Sequence, residues 1–263
     1  MEQNPPQHRK LYRTRSIGAA PISPAAVLWP LGLSTALSLM GDATMYTVLP
    51  TQTAAAGIVL SSVGILLGVN RAVRILLNGP AGLAYDRCPR RWLYVPALFI
   101  GALSTAIYAL SHSFWPLLIG RMVWGLAWSG IWVGGATVIL DVTDDRNRGR
   151  WTGLYQTWFF LGGALGAFGG GLLTDRLGYT TSLWIGAGVT AVGALAALFF
   201  LPETRQSRPG PAAALRPDRP PRLRGNRGLW IAASLQGVNR FIASGVLSAT
   251  LGLLVQGWLK SKP

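Results

Sequence analysis

Long apolar runs, broken by short polar interruptions, dominate the chain. Seven runs occupy residues 26–48, 55–77, 92–110, 117–140, 151–173, 183–201 and 229–254. A helix needs about 20 apolar residues to cross the bilayer core. The pattern therefore predicts seven membrane-spanning helices and an all-α membrane protein. The interruptions differ in kind. Residues 51–53 and 111–116 carry no Lys, Arg, Asp or Glu, whereas residues 82–91 and 141–150 are rich in arginine. Residues 205–227 combine arginine with proline, a composition that predicts a disordered linker. These shifts divide the chain into a basic tail (1–25), a six-span bundle (26–204), the linker (205–227) and one further span within 228–263.

Charge placement supports this division and orients it. Half of the residues are hydrophobic and 13% are charged, against about a quarter charged in soluble domains. The net charge of +15 would suggest nucleic acid on a soluble protein. Here 17 of the 24 Lys and Arg residues fall in residues 1–24, 86–91, 141–150 and 203–227, all of which lie on one side under a single topology. Short basic loops stay cytoplasmic. This places the N-terminus inside a cell (inner) membrane crossed several times, with the lipid bilayer rather than nucleic acid as partner. Trp29, Trp92, Trp115, Trp151, Trp184, Trp230 and Trp258 fall near proposed span ends, as interfacial anchoring predicts.

The polar chemistry excludes several classes. Cys88 is the single cysteine, so the chain has no internal disulfide. His8 and His112 lie far apart and offer no metal set. The sequence shows no catalytic nucleophile motif, phosphate loop or cofactor signature. No enzyme activity, cofactor or catalytic residue is expected.

Two stretches carry a resemblance. Gly82-Leu-Ala-Tyr-Asp86-Arg87-Cys-Pro-Arg90-Arg91 resembles the loop signature Gly-x-x-x-Asp-Arg-x-Gly-Arg-Arg of the major facilitator superfamily, with Pro89 where the family has glycine. Proline cannot supply the positive φ that glycine allows. In the fifth run, Gly153, Gly162, Gly166, Gly170 and Gly171 resemble the family's antiporter motif, with Ala167 in place of its proline. The four-residue repeat of small residues also lets another helix approach closely. The resemblance implies a first half of six spans, then one span of a second half whose last five spans would be missing. It further implies that Gly82, Asp86, Arg87, Arg90 and Arg91, with Asp141 and Arg148, form a cytoplasmic gating network. A solvated, topology-setting loop is the plainer alternative.

Ionisable residues at membrane depth are functional candidates because burying them there is costly. They are Asp42, Arg71, Arg74, Arg121 and Arg240. Asp42 lies about 9 Å, and Arg121 about 7.5 Å, from the outer ends of their runs at 1.5 Å per residue. The two are expected to meet, so that protonating Asp42 releases Arg121; a static ion pair is the alternative. Arg121, Trp124, Trp128 and Trp132 share one helical face, expected either to line a cavity for flat, lipophilic solutes or simply to pack. Asn70 and Arg71 are expected to face the cavity, and Gln236 and Arg240 repeat the theme in the seventh run. These features and the resemblance together point to a proton-coupled exporter of small molecules. The excess of buried arginine keeps an organic anion as rival substrate. A truncated chain that does not transport, acting as an interaction partner, is the reading from a different class.

Overall fold

The structure is a computed structural model that describes residues 22–205 and scattered positions between 228 and 258. Six helices account for most of the described chain: α1 (Pro24–Val48), α2 (Leu60–Arg87), α3 (Arg90–Leu110), α4 (Phe114–Val142), α5 (Arg148–Leu177) and α6 (Tyr179–Phe200). No strand occurs among the described residues. All six are long and apolar enough to cross a membrane. In a bilayer core every backbone polar group must be satisfied internally, which leaves the helix as the natural solution.

Local chemistry sets the helix ends. Ser23 caps α1 by accepting from the Ala26 amide at 3.2 Å, and Pro24 opens the first turn, where its missing N–H is harmless. The basic stretch expected to be a turn is mostly helix. α2 runs through Gly82 to Arg87, leaving only Cys88 and Pro89 between α2 and α3. A proline drives the residue before it out of the helical region. Cys88 accordingly sits at φ −106°, ψ 157° and ends α2, while Pro89 itself sits at φ −56°. The turn is thus made without the positive φ of a glycine. The polar segment 175–181 is likewise absorbed into helix, and α5 meets α6 at the single residue Gly178. Its φ of 86° is open to glycine and strained for other residues. α2 begins at Leu60 rather than at residue 55, because Gly57 turns at φ 65° directly under the His112 carbonyl.

The core lies where α1 packs on α5 and α6, and where α4 packs on α2 and α3. Three of the five motif glycines make the α1–α5 contact. A Cβ on Gly162 would run into the Ala36 backbone, one on Gly166 would reach the Met40 backbone, and one on Gly170 would strike Thr44. Gly153 meets nothing within 4 Å, and Gly171 makes only ordinary contact with Thr47. Deeper in the bundle the Thr35 hydroxyl lies 2.7 Å from the Tyr94 hydroxyl and 3.2 Å from that of Tyr155, tying α1 to α3 and α5. Gln236 and Arg240, with most of the seventh run, the 1–21 tail and the 206–227 linker, lie outside the described residues.

Candidate functional site

The C-terminal half of α1 and the N-terminal half of α4 bring Asp42 and Arg121 together. The Arg121 side chain is completely buried, and Asp42 is 7% exposed. Arg121 Nη1 donates to Asp42 Oδ1 at 2.5 Å and to the Tyr108 hydroxyl at 3.3 Å, and Nε donates to the Leu66 carbonyl of α2 at 3.3 Å. The guanidinium also sits 4.8 Å from the centre of the Tyr46 ring and 5.6 Å from that of Tyr108. Its remaining terminal nitrogen, Nη2, has no hydrogen-bond partner among the described residues. Beside Asp42, Gly41 lets α1 pack closely on α6. A Cβ on Gly41 would lie 2.9 Å from Thr190 Oγ1 and 3.2 Å from the Gly186 carbonyl of α6.

A buried ion pair is sensitive to the loss of either charge. Protonating Asp42 would replace the ion pair with a hydrogen bond from a cation to a neutral carboxyl, leaving the Arg121 charge held by carbonyl, phenol and ring faces. Tyr46 and Tyr108 were not among the residues expected here. Tyr46 lies one helical turn from Asp42 and was legible at that spacing, whereas Tyr108 comes from α3 with no local signal.

The tryptophan face of α4 is mostly packing. Trp124 stacks on Trp128, and Trp128 on Trp132, each pair with ring centres 6.1 Å apart. Trp124 is 1% and Trp128 3% exposed; only Trp132 reaches the rim, with Phe159 of α5 5.4 Å away. The cation over the stack is Arg74, 5.5 Å above Trp128, rather than Arg121. Arg71 lies 5.8 Å from the Tyr46 ring. Asn70 does not face an open cavity. It is fully buried, and its backbone carbonyl would lie 3.0 Å from a Cβ on Gly125 of α4.

At the other end of the bundle, part of the expected charged set comes together. Asp141 pairs with Arg90, Nε to Oδ2 at 2.8 Å, and also accepts from Thr204 at 3.2 Å. Arg148 instead pairs with Asp145, three residues earlier, because that partner is in reach on its own turn. Asp86 forms no ion pair within 4 Å among the described residues; its backbone carbonyl accepts from Arg205 at 3.3 Å. Arg87 likewise enters through its backbone carbonyl, bonded by Arg205, and Arg91 reaches the Leu198 carbonyl. The organising group is one that sequence reasoning left out. The Glu203 carboxylate accepts from the backbone amides of Arg90 and Arg91, both at 3.0 Å, and so caps α3. A carboxylate is favourable there because the first amides of a helix lack partners and carry partial positive charge. Segment 201–205 thereby straps the ends of α2, α3 and α4. Among the described residues no group of three His, Cys, Asp or Glu side chains is placed to hold a metal.

Comparison with known proteins places this geometry in a family. The family model described as Major Facilitator Superfamily matches residues 31–261. The chain is 30% identical to a probable 4-methylmuconolactone transporter of Cupriavidus pinatubonensis, over 61% of this chain and 37% of that protein. It is 30% identical to the class C tetracycline resistance protein of Escherichia coli, over 68% of this chain and 45% of that protein. The crystal structure of the human organic anion transporter MFSD10 shares the fold with a TM-score of 0.60 at 21% identity, over 69% of this chain and 48% of that one. The chain thus spans less than half the length of these relatives. The matched family model, covering most of the chain, and the six apolar helices agree: this is a multi-pass membrane protein that belongs to the major facilitator superfamily.

Proposed function

We propose that the chain serves a secondary transporter that exchanges a small molecule for protons by alternating access, with export as its direction. The carrying observation is the Asp42–Arg121 pair, buried at membrane depth and enclosed by Tyr46 and Tyr108. A pair whose charge balance changes with one proton couples solute and proton when the two compete for the same carboxylate. The direction rests on relatives named as a tetracycline resistance protein and as efflux pumps. A panel of flat lipophilic cations, neutral compounds and carboxylates, titrated against intrinsic tryptophan fluorescence, tests the substrate class. Quenching by members of the panel in the parent chain, weakened at least tenfold in Trp132→Ala, supports solute binding beside the stack. No response from any member counts against it.

One observation favours an anionic solute as the second reading. At membrane depth the described residues set Arg71, Arg74 and Arg121 against Asp42 alone. Saturable binding of carboxylates, with none of cations, would select this reading over the first.

In the proposed orientation the N-terminus and the α2–α3 turn are cytoplasmic. Cys88, half-buried at that turn, is expected to react with a membrane-impermeant maleimide in inverted vesicles and not in intact cells. Labelling from outside would reverse every loop assignment. We also assign the Glu203 strap to latching one state of the transporter. Glu203→Gln keeps the size but removes the charge from the α3 end. It is expected to speed Cys88 labelling severalfold in inverted vesicles, as the cap weakens by about 1 kcal/mol. An unchanged labelling rate would reduce the strap to static packing.

A further inference from the structure

The polar atoms of the α2–α4 interface do not all find partners. Arg121 Nη2, Asn70 Nδ2, Asn70 Oδ1 and Asn78 Oδ1 are buried without a hydrogen-bond partner among the described residues. Asn70 and Arg121 are both completely buried. Leaving such groups unmet is expensive, so they normally bond to protein or to internal water.

The four atoms are not scattered. Leu66, Asn70, Arg74, Asn78 and Tyr85 recur along α2 at a spacing that keeps them on one face. That face meets α4 at known points. The Leu66 carbonyl accepts from Arg121 Nε at 3.3 Å, Arg74 lies over Trp128, and the Tyr85 hydroxyl donates to the Gly130 carbonyl at 2.9 Å. Helical side chains lean toward the N-terminus, so the Asn70 amide leans back to the level of Leu66 and Arg121. The row therefore begins at the Asp42–Arg121 pair and ends at Tyr85, two residues before Arg87.

The chemistry of the unmet atoms selects their occupant. Two are donors, Arg121 Nη2 and Asn70 Nδ2, and two are acceptors, Asn70 Oδ1 and Asn78 Oδ1. A carboxylate would satisfy only the donors, and a metal cation only the acceptors. Water both donates and accepts. We infer that the α2–α4 seam holds internal water from Arg121 past Asn70 to Asn78, and that this water carries protons between the cytoplasmic side and Asp42. The relay balances: one proton enters at the Asn78 end, O–H bonds break and form in turn along the row, and one proton arrives on the Asp42 carboxylate.

The inference rests on the proton-coupled reading for its functional half. The groups facing Asp42 are Arg121 of α4, Tyr108 of α3 and Tyr46 of its own helix, with Arg71 of α2 against Tyr46. α5 carries charges only at its ends, and α6 carries none.

The experiment uses the full 263-residue chain in lipid nanodiscs, followed by infrared spectroscopy after a pH jump. The carboxylic acid band that disappears in Asp42→Asn reports Asp42. Asn70→Leu is expected to slow the rise of this band tenfold or more while keeping its amplitude. Asn70→Ser, which leaves room and polarity, should stay within threefold of the parent rate. If Asn70→Leu does not fold, Asn78→Leu must show the slowing by itself. Thermal unfolding of the same variants supplies an arm that does not depend on Asp42. Replacing a dry, unmet amide by leucine stabilises, whereas replacing a hydrated one does not. An unchanged or lowered midpoint in Asn70→Leu supports hydration. A raised midpoint, or a band that rises at the parent rate, overturns the proposal. Absence of any Asp42-dependent band in the parent chain would remove the proton-coupled reading instead. The unfolding arm would then still decide whether the seam is hydrated.

Discussion

Arg121→Leu is expected to destabilise the bundle by about 3–5 kcal/mol, the usual consequence of stranding one member of a buried ion pair. The substitution leaves the Asp42 carboxylate 7% exposed with no cation at 2.5 Å, and removes the donor to the Leu66 carbonyl. The magnitude follows from burial. A surface pair of the same geometry is worth about 0–1 kcal/mol. Combining Arg121→Leu with Asp42→Asn removes both charges and should recover most of the loss. The check is the thermal unfolding midpoint of the single and double variants in lipid nanodiscs. If the double variant is as unstable as Arg121→Leu alone, the loss comes from packing rather than from an uncompensated charge.

Gly162→Leu should be comparably severe, about 3 kcal/mol or more, at or beyond the top of the usual overpacking range. Its new Cβ would meet the Cα and carbonyl of Ala36, and a backbone cannot rotate out of the way. α5 would have to leave α1, its main packing partner. Gly163→Ala, one residue on, meets nothing within 4 Å and should be near neutral. The comparison separates close helix approach from helix propensity, since both substitutions raise the intrinsic helix preference. Equal recovery of monodisperse protein from the two variants would remove the α1–α5 seam as the reason for these glycines.

The first six spans were legible because apolar length is a local signal, and the family because its motifs are short and local. Helix ends were not, and the reason is physical. The residues of 82–87 and 175–177 are polar enough to look like loop but have no barrier to helix, so neighbouring helices extend through them. The true breaks are set by single residues, Pro89 acting on Cys88 and Gly178 at positive φ. The meeting of Asp42 with Arg121 followed from depth alone, since each lies a few residues from the helix end on the same side of the bundle. What surrounds them did not. Tyr108 arrives from α3, and the burial of Asn70 depends on how closely Gly125 admits α2, which no spacing reveals. The charged loop residues, expected as one set, sort by what the fold brings into reach: Arg90 meets Asp141 from fifty-one positions away, Arg148 pairs with neighbouring Asp145, and Glu203 arrives from beyond α6. The motif glycines divided by face, three against α1 and two with little to meet.

Proton exchange at Asp42 is the centre of this account, and the protons displaced on ligand binding test it most directly. Isothermal titration with a compound that quenches the tryptophans, repeated in two buffers of different ionisation enthalpy, gives that count. At a pH low enough to protonate Asp42, release of about one proton per ligand bound is expected in the parent chain and none in Asp42→Asn, because ligand and proton compete for one carboxylate. The same proton count in both proteins, or no release from the parent, would contradict it.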